Sequence, residues 1–256
     1  MEFFRWEPSH FSRLSQQISM FPGIACFDFD NTLISGDFGE TMMMQLVKEG
    51  LHHVNDLESI LPEASSVKNN PDLLSDLIWK KYNSILETAG TEFAYRWSSF
   101  LFSGWAPSDL HSKALEVWKD ALQKKILFPF PEMESIISML LKYNWKIFIV
   151  TSSPTTIIQP IAPFFQISGD SVLGMNLVVE NNLTTALIHE PFTYGEGKVR
   201  AIESTIGTGI DLAFGDSKND FPMLKRAKMG VLLHRGNEEL LSDSLHADIL
   251  IQTIQK

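Results

Sequence analysis

The sequence offers almost no sulfur chemistry. Its single cysteine, Cys26, sits in an apolar run, so an intramolecular disulfide is excluded. Excess basic charge is also missing. Lys and Arg total 21 against 31 Asp and Glu, a net charge of -10, which argues against a nucleic-acid partner because phosphate backbones are held by basic patches. No uninterrupted apolar window of about eighteen residues exists, so no transmembrane segment is expected. The stretch from Met1 to Pro8 lacks the charged-then-apolar design of a secretory leader, and the expected location is cytoplasmic. Internal repeats and low-complexity tracts are absent as well. What remains is a globular composition, 44% hydrophobic and 20% charged over 256 residues, long enough for one large domain or a core carrying a smaller one.

Short apolar runs that end in polar clusters give the chain its rhythm. Ile24 to Phe27 ends in Asp28 to Thr32, Lys146 to Val150 in Thr151 to Pro154, and Asp211 to Phe214 in Gly215 to Ser217. Gly230 to Leu233 and Ala247 to Ile251 read as two further strands. Continuous apolar runs of this length suit strands buried on both faces, hence a parallel sheet. Helical patterns separate them at Glu132 to Tyr143, Thr155 to Phe165, Lys198 to Ile206 and Asn219 to Lys228. The alternation predicts an α/β fold with a doubly wound parallel sheet. Ligands of such sheets bind beyond the carboxyl ends of the strands, where all three polar clusters fall. Near the start, Phe11, Leu14 and Ile18 share one helical face, expected to pack on the domain.

Between Phe38 and about Leu127 the pattern is helical only, with candidates at Glu40 to Glu49, Pro71 to Thr88, Thr91 to Phe102 and Pro107 to Lys125. Pro71 and Pro107 suit helix starts, where a missing N–H does no harm. The expected organisation is therefore a core of residues 1–37 and 126–256 with an inserted all-helical cap, 38–125. A second interruption, Gly174 to His189, places Asn181-Asn182 between two apolar stretches and predicts an edge hairpin.

In the first polar cluster, Asp28 and Asp30 can face one reacting centre, because residues two apart in an extended passage point to the same side. A carboxylate can attack phosphorus and form an aspartyl phosphate; a second carboxyl can protonate the leaving alcohol and then take a proton from water. Asp28 is the candidate nucleophile and Asp30 the candidate acid/base. Gly215 to Asp220 gathers oxygen-bearing side chains suited to a hard cation such as Mg2+, with Asp216 as ligand and Asp220 either as ligand or as the group that orients Asp216. Thr151, with the following turn, can hold phosphate oxygens. Lys198, at a helix start, can meet the charge that develops during transfer. Ser152 and Asn219, beside these groups, are candidate substrate contacts. Taken one at a time, Asp28-Phe29-Asp30, Thr151 to Pro154 and Lys198 are more economically an Asx turn, a loop and a solvated lysine, while Gly215 to Asp220 is equally well read as a helix cap.

Together, in this order, they strongly resemble the motif set of the haloacid-dehalogenase-like superfamily over nearly the whole chain. The resemblance implies Asp28 as nucleophile, Asp30 as general acid/base, Thr151 as phosphate-binding hydroxyl, Lys198 as charge neutraliser and Asp216 with Asp220 as the acidic metal site. Magnesium would also use the backbone carbonyl of Asp30. Because alkoxide departure needs a proton and halide departure does not, Asp30 favours phosphate esters over haloacids. A cap after the first motif resembles the phosphoserine-phosphatase-like branch, which places a substrate-binding acid where Asp37 stands. A closer resemblance is to bacterial phosphorylcholine phosphatases. It rests on Asp28 to Thr32, Asp37, Glu40, and Trp97 followed by Phe102-Ser103-Gly104-Trp105; that family has Phe where this chain has Trp105. Trp97 and Trp105 then become candidate contacts for a quaternary ammonium group, whereas Trp79 and Trp118 are expected to fill the cap's own core. The expected partner is a small phosphorylated metabolite. The alternatives are a phosphoserine phosphatase, which would want a basic cap residue although Arg96 is the only arginine from 38 to 125, and a catalytically idle binding protein on the same fold.

Overall fold

The computed structural model describes residues 5–254 apart from 52, 55, 56, 208, 237 and 246–248. Its spine is strand β1 (Ile24–Phe27), preceded by helix α1 (Pro8–Met20) and followed by the two-residue β2 (Ile34–Ser35). Five helices come next: α2 (Phe38–Lys48), α3 (Leu57–Ile60), α4 (Pro71–Ala89), α5 (Thr91–Ser98) and α6 (Pro107–Gln123). Proline occupies the first turn of both α4 and α6, as expected. The chain then passes through β3 (Phe128–Pro129), α7 (Pro131–Lys142), β4 (Lys146–Pro154) and α8 (Thr155–Ile158). The hairpin β5 (Val172–Glu180) and β6 (Leu183–His189) turns at Asn181 and Asn182, both at positive φ. It is followed by α9 (Glu196–Ile206), β7 (Leu212–Gly215), α10 (Phe221–Arg226), β8 (Met229–His234), α11 (Glu238–Leu245) and β9 (Leu250–Thr253).

Seven strands form one sheet in the order β6-β5-β4-β1-β7-β8-β9, parallel except for the β5–β6 hairpin. Successive side chains of a strand point to opposite faces, and the packing follows that rule. Ala25, Phe27, Leu212, Phe214, Val231 and Leu233 join one apolar cluster with Leu14 and Ile18 of α1 and Ile136 of α7. Cys26, Ala213 and Leu232 join another with Ile202 of α9 and Leu224 of α10. Both faces are therefore covered, as a doubly wound sheet requires. Phe11 packs against the first cluster too, and the indole of Trp145 donates to the carbonyl of Ile18, which fastens α1 to the sheet. No described helix is long and apolar enough to cross a membrane.

Several elements differ from expectation. The helix expected from Thr155 to Phe165 stops at Ile158 and resumes only as a short 3-10 turn, Ala162–Phe165, because Pro160 and Pro163 cannot donate within a helix. The expected strand from Ala247 begins outside the described residues and is seen as Leu250–Thr253. Trp118 is fully buried but does not fill a core private to the insertion. It packs on Phe29 and Phe165 as well as on Phe38, bridging the helices to the sheet domain. Unforeseen from the sequence is the antiparallel pairing of β2 with β3, which binds together the two chain crossings at either end of the helical insertion.

Candidate active site

Register brings the polar clusters together. Phe27 lies level with Ile149 on one side and Phe214 on the other. Asp28, Thr151 and Asp216 therefore emerge side by side at the carboxyl-terminal ends of three adjacent strands, Asp28 and Asp216 just past β1 and β7 and Thr151 within the last part of β4. The main-chain N–H of Asp28 donates to the carbonyl of Phe214 at 2.9 Å, so even the first residue past the strand is pinned.

Beneath this end of the sheet lies Lys198. It is wholly buried, and its Nζ donates to Oδ1 of Asp28 and Oδ1 of Asp220, each at 2.6 Å. Its place depends on Gly197: a Cβ there would lie 1.7 Å from the carbonyl oxygen of Phe192, so only glycine lets the helix begin this close to the preceding loop. Burial alone would lower the lysine's pKa, but Asp220 and Asp28 more than reverse that, and it stays charged. Burial raises Asp28, with Asp220 and Asp216 adding to the rise and Lys198 opposing it.

Asp220 has no free oxygen. Oδ1 accepts from Lys198, while Oδ2 accepts from the main-chain N–H groups of Asp216 and Ser217 and from the Ser217 hydroxyl. Of its two expected roles this arrangement favours the orienting one. Asp216 is raised to about 7 by burial and by Asp220, against Arg235. Arg235 is a residue that sequence reasoning missed. Its guanidinium donates to Oδ2 of Asp216 and to Oδ1 of Asn31, both at 2.7 Å, and so ties the first polar cluster to the third. The available signal was its position directly after the carboxyl end of β8.

Oxygens of Asp28, Asp216 and Asp220 lie within 4.8 Å of one another. Asp28 and Asp216 are hard oxygen donors that suit a divalent cation, and Asp220, its own oxygens engaged, holds the Asp216 main chain beside them, so the residues present fit the magnesium site expected of them.

Asp30 is half-buried. Its Oδ1 accepts from the N–H of Phe38 and its Oδ2 from the hydroxyl of Ser153, each at 2.6 Å, and burial raises its pKa against the pull of both donors. Ser152 donates to the carbonyl of Thr193 and accepts from Nδ2 of Asn219, whose Oδ1 in turn takes the N–H of Gly195. These two expected contacts thus also join the loops around Lys198.

Above lies a cavity of about 140 Å³. Asp28, Asp30, Thr151, Ser152, Asp216 and Asn219 line its floor; Asp37, Glu40, Met43, Tyr82, Tyr95 and Phe102 are among the residues of its walls. Asp37 caps α2 by accepting from the N–H of Glu40, and burial, then Asp30 and Glu40, push its pKa well up. Glu40 is raised by burial and by Asp30. None of the described residues lining this cavity is Lys, Arg or His.

Trp97 and Trp105 are not among its lining residues, which corrects their expected place. Trp97 packs on Phe100, and Trp105 lies tilted against His53 with ring centroids 4.0 Å apart. Long-range pairing is the reason. Gly104 N–H donates to Thr184 O at 2.7 Å, Thr184 N–H to Trp105 O at 2.8 Å, and the Thr184 hydroxyl to Phe102 O at 2.6 Å. The Phe102 to Trp105 segment is therefore docked on the edge strand β6, with Phe102 turned to the cavity and Trp105 away from it. The aromatic side chains at the cavity are instead Tyr82, Tyr95 and Phe102. Arg96 is also elsewhere, paired with Glu92 and Glu190 over the ring of Phe192.

A family model described as haloacid dehalogenase-like hydrolase matches residues 25–225, most of the chain. The chain belongs to the haloacid dehalogenase-like hydrolases. A second model of the same description matches residues 208–253. Among solved structures, a functionally unknown protein from Anaerococcus prevotii is similar with TM-score 0.72 at 15% identity, covering 98% of this chain and 94% of that one. A protein of unknown function from Bordetella pertussis gives TM-score 0.70 at 18% identity, covering 91% and 98%. A phosphoserine phosphatase, solved as a phospho-aspartyl intermediate analogue, gives TM-score 0.55 at 16% identity, covering 91% and 94%. At such identities these likenesses speak for the fold. No curated protein matches in sequence.

Proposed function

We propose that this hydrolase is a magnesium-dependent phosphatase of small phosphomonoesters whose alcohol carries a positive charge, such as phosphocholine or phosphoethanolamine. One observation carries the reading: Asp28 and Asp30 open into a small cavity whose far wall combines Asp37 and Glu40 with Tyr82 and Tyr95 and contains no basic side chain. Carboxylates and aromatic faces both attract a quaternary or primary ammonium. The Tyr phenols remain neutral, raised by burial and by the nearby acids, so they present π-faces and hydroxyls rather than further charge. A phosphoserine carboxylate would find no basic partner among the lining residues, since Arg96 is engaged by two glutamates and Lys80 and Lys81 are exposed.

In the first step an oxygen of Asp28 attacks phosphorus in line, the P–O bond to the alcohol breaks, and the departing oxygen takes a proton from Asp30. In the second, Asp30 takes a proton from water, whose oxygen displaces Asp28 and releases inorganic phosphate. Thr151 holds phosphate oxygens, and Lys198 keeps Asp28 oriented. Asp28, Asp216 and the Asp30 carbonyl would hold magnesium, which when bound neutralises phosphate charge.

Magnesium should raise the melting temperature and a chelator reverse it. A concentration a hundred times the dissociation constant is worth about 2.7 kcal/mol, which scanning calorimetry resolves easily; an unmoved transition in millimolar magnesium would count against the metal site. Phosphatase assay with and without chelator also separates an enzyme from an idle binding protein.

Substrate choice has its own test. Phosphocholine and 3,3-dimethylbutyl phosphate have the same shape and differ only in charge. The native protein should favour phosphocholine in kcat/KM by about tenfold, on a cation–π and carboxylate preference of roughly 1–2 kcal/mol, and Glu40→Gln should shrink that preference. Equal handling of the two esters, or preference for phosphoserine, would overturn the cationic pocket.

A further inference from the structure

We propose that Ser153 is the positioning residue of the acid: its hydroxyl fixes the Asp30 carboxyl in the plane from which a proton reaches the leaving oxygen. This inference rests on the role of Asp30 proposed above and adds a residue that neither the motif set nor the chemistry of transfer names.

Geometry carries it. Each oxygen of Asp30 accepts a short hydrogen bond, from donors in different parts of the fold, and the N–H of Gly39 adds a third donor on the α2 side. Phe38 N–H, at the start of α2, holds Oδ1; Ser153 Oγ, at the end of β4, holds Oδ2. A carboxyl held at one oxygen can still turn about its Cβ–Cγ bond, whereas one held at both cannot. Each oxygen has a second lone pair, so the hydrogen bonds leave room for the transferable proton. Ser153 itself is anchored, since its N–H donates to Thr151 Oγ1 at 3.1 Å.

A second observation points the same way. Gly39 lies against Ser153, and a Cβ on residue 39 would stand 2.6 Å from Ser153 Oγ and 3.2 Å from Asp37 Oδ1. Glycine inside the first turn of a helix is less favourable than alanine, because more backbone freedom is lost in ordering it. Its presence makes room for the serine hydroxyl to reach Asp30.

The chemistry gives a signature that a merely structural serine would not show. The value of kcat/KM covers steps only up to release of the alcohol, so it is blind to hydrolysis of phospho-Asp28. A p-nitrophenolate leaves readily without a proton, but an alkoxide does not. The readout is the ratio of kcat/KM for phosphoethanolamine to that for p-nitrophenyl phosphate. Positioned general acids supply about 10²–10⁴-fold. Ser153→Ala should lower the ratio by roughly tenfold or more, and Gly39→Ala should lower it in the same sense by crowding the hydroxyl, while circular dichroism and melting show both variants folded.

Asp30→Asn is measured alongside. If it lowers the ratio and neither Ser153→Ala nor Gly39→Ala does, the positioning role is overturned and the acid role stands. If Asp30→Asn lowers both substrates equally, the acid role falls and the inference with it. A lowered ratio in all three supports both.

Discussion

Asp28→Asn should eliminate turnover, by on the order of 10⁴-fold or more as for other enzymes stripped of their nucleophile, without unfolding the protein. The amide has the same shape, and its oxygen can still accept from Lys198 Nζ. The change removes a buried negative charge that burial, Asp220 and Asp216 already disfavour. Melting without magnesium should therefore not fall. The decisive measurement is acid quenching during turnover. Native protein should carry phosphate that hydroxylamine releases, the behaviour of an acyl phosphate, and the Asp28→Asn variant should carry none. Residual magnesium-dependent activity within about a hundredfold of native would remove Asp28 from its role.

Lys198→Met is the second large effect, and it strikes the fold as well as the chemistry. One ammonium serves Asp28 and Asp220, and all three groups are nearly or wholly out of water. Removing one partner of a buried ion pair typically costs about 3–5 kcal/mol, because the remaining charge is left uncompensated. For a chain of this size that is a drop in melting temperature on the order of 10 °C. Activity should vanish too, since Asp28 loses the contact that orients it. Asp220→Asn should be milder: Oδ1 can still accept from Lys198, while the amide replaces the acceptor that Asp216 and Ser217 share. A Lys198→Met protein that melts as the native one does would contradict the buried ion-pair geometry.

Much of the site was legible because three strand ends announce themselves in the same way, an apolar run closing on a polar cluster. Strand periodicity together with the carboxyl-end rule was enough to bring Asp28, Thr151 and Asp216 to one place. Lys198 was visible as a lysine at a helix start. Local sequence could not tell that it would be wholly buried between two acids, because Asp28 is far from it along the chain. Arg235 closes a fourth strand in the same manner but follows Leu232, Leu233 and His234 without an acidic cluster, so only its place after the strand marked it. Ser153 was hidden by its neighbours Thr151 and Ser152, which have the same chemistry; only the contact with Asp30 separates them. In the insertion, tryptophan is the obvious ligand for a cation, yet Trp105 is turned away by main-chain pairing to Thr184. Strand-edge pairing of that kind leaves no periodic trace. The helix expected at 155–165 is the one misreading that the sequence itself could have prevented, for Pro160 and Pro163 stand inside it.

The helical insertion is fastened to the sheet domain twice. Paired β2 and β3 hold the crossings at one side, and the hydrogen bonds of Gly104, Trp105 and Phe102 with Thr184 hold the other. A door hung on both edges cannot swing. Any outward movement of the helices must then carry the β5–β6 hairpin with it as a single piece. Exchanging this insertion for a relative's would accordingly fail unless the hairpin is transplanted with it.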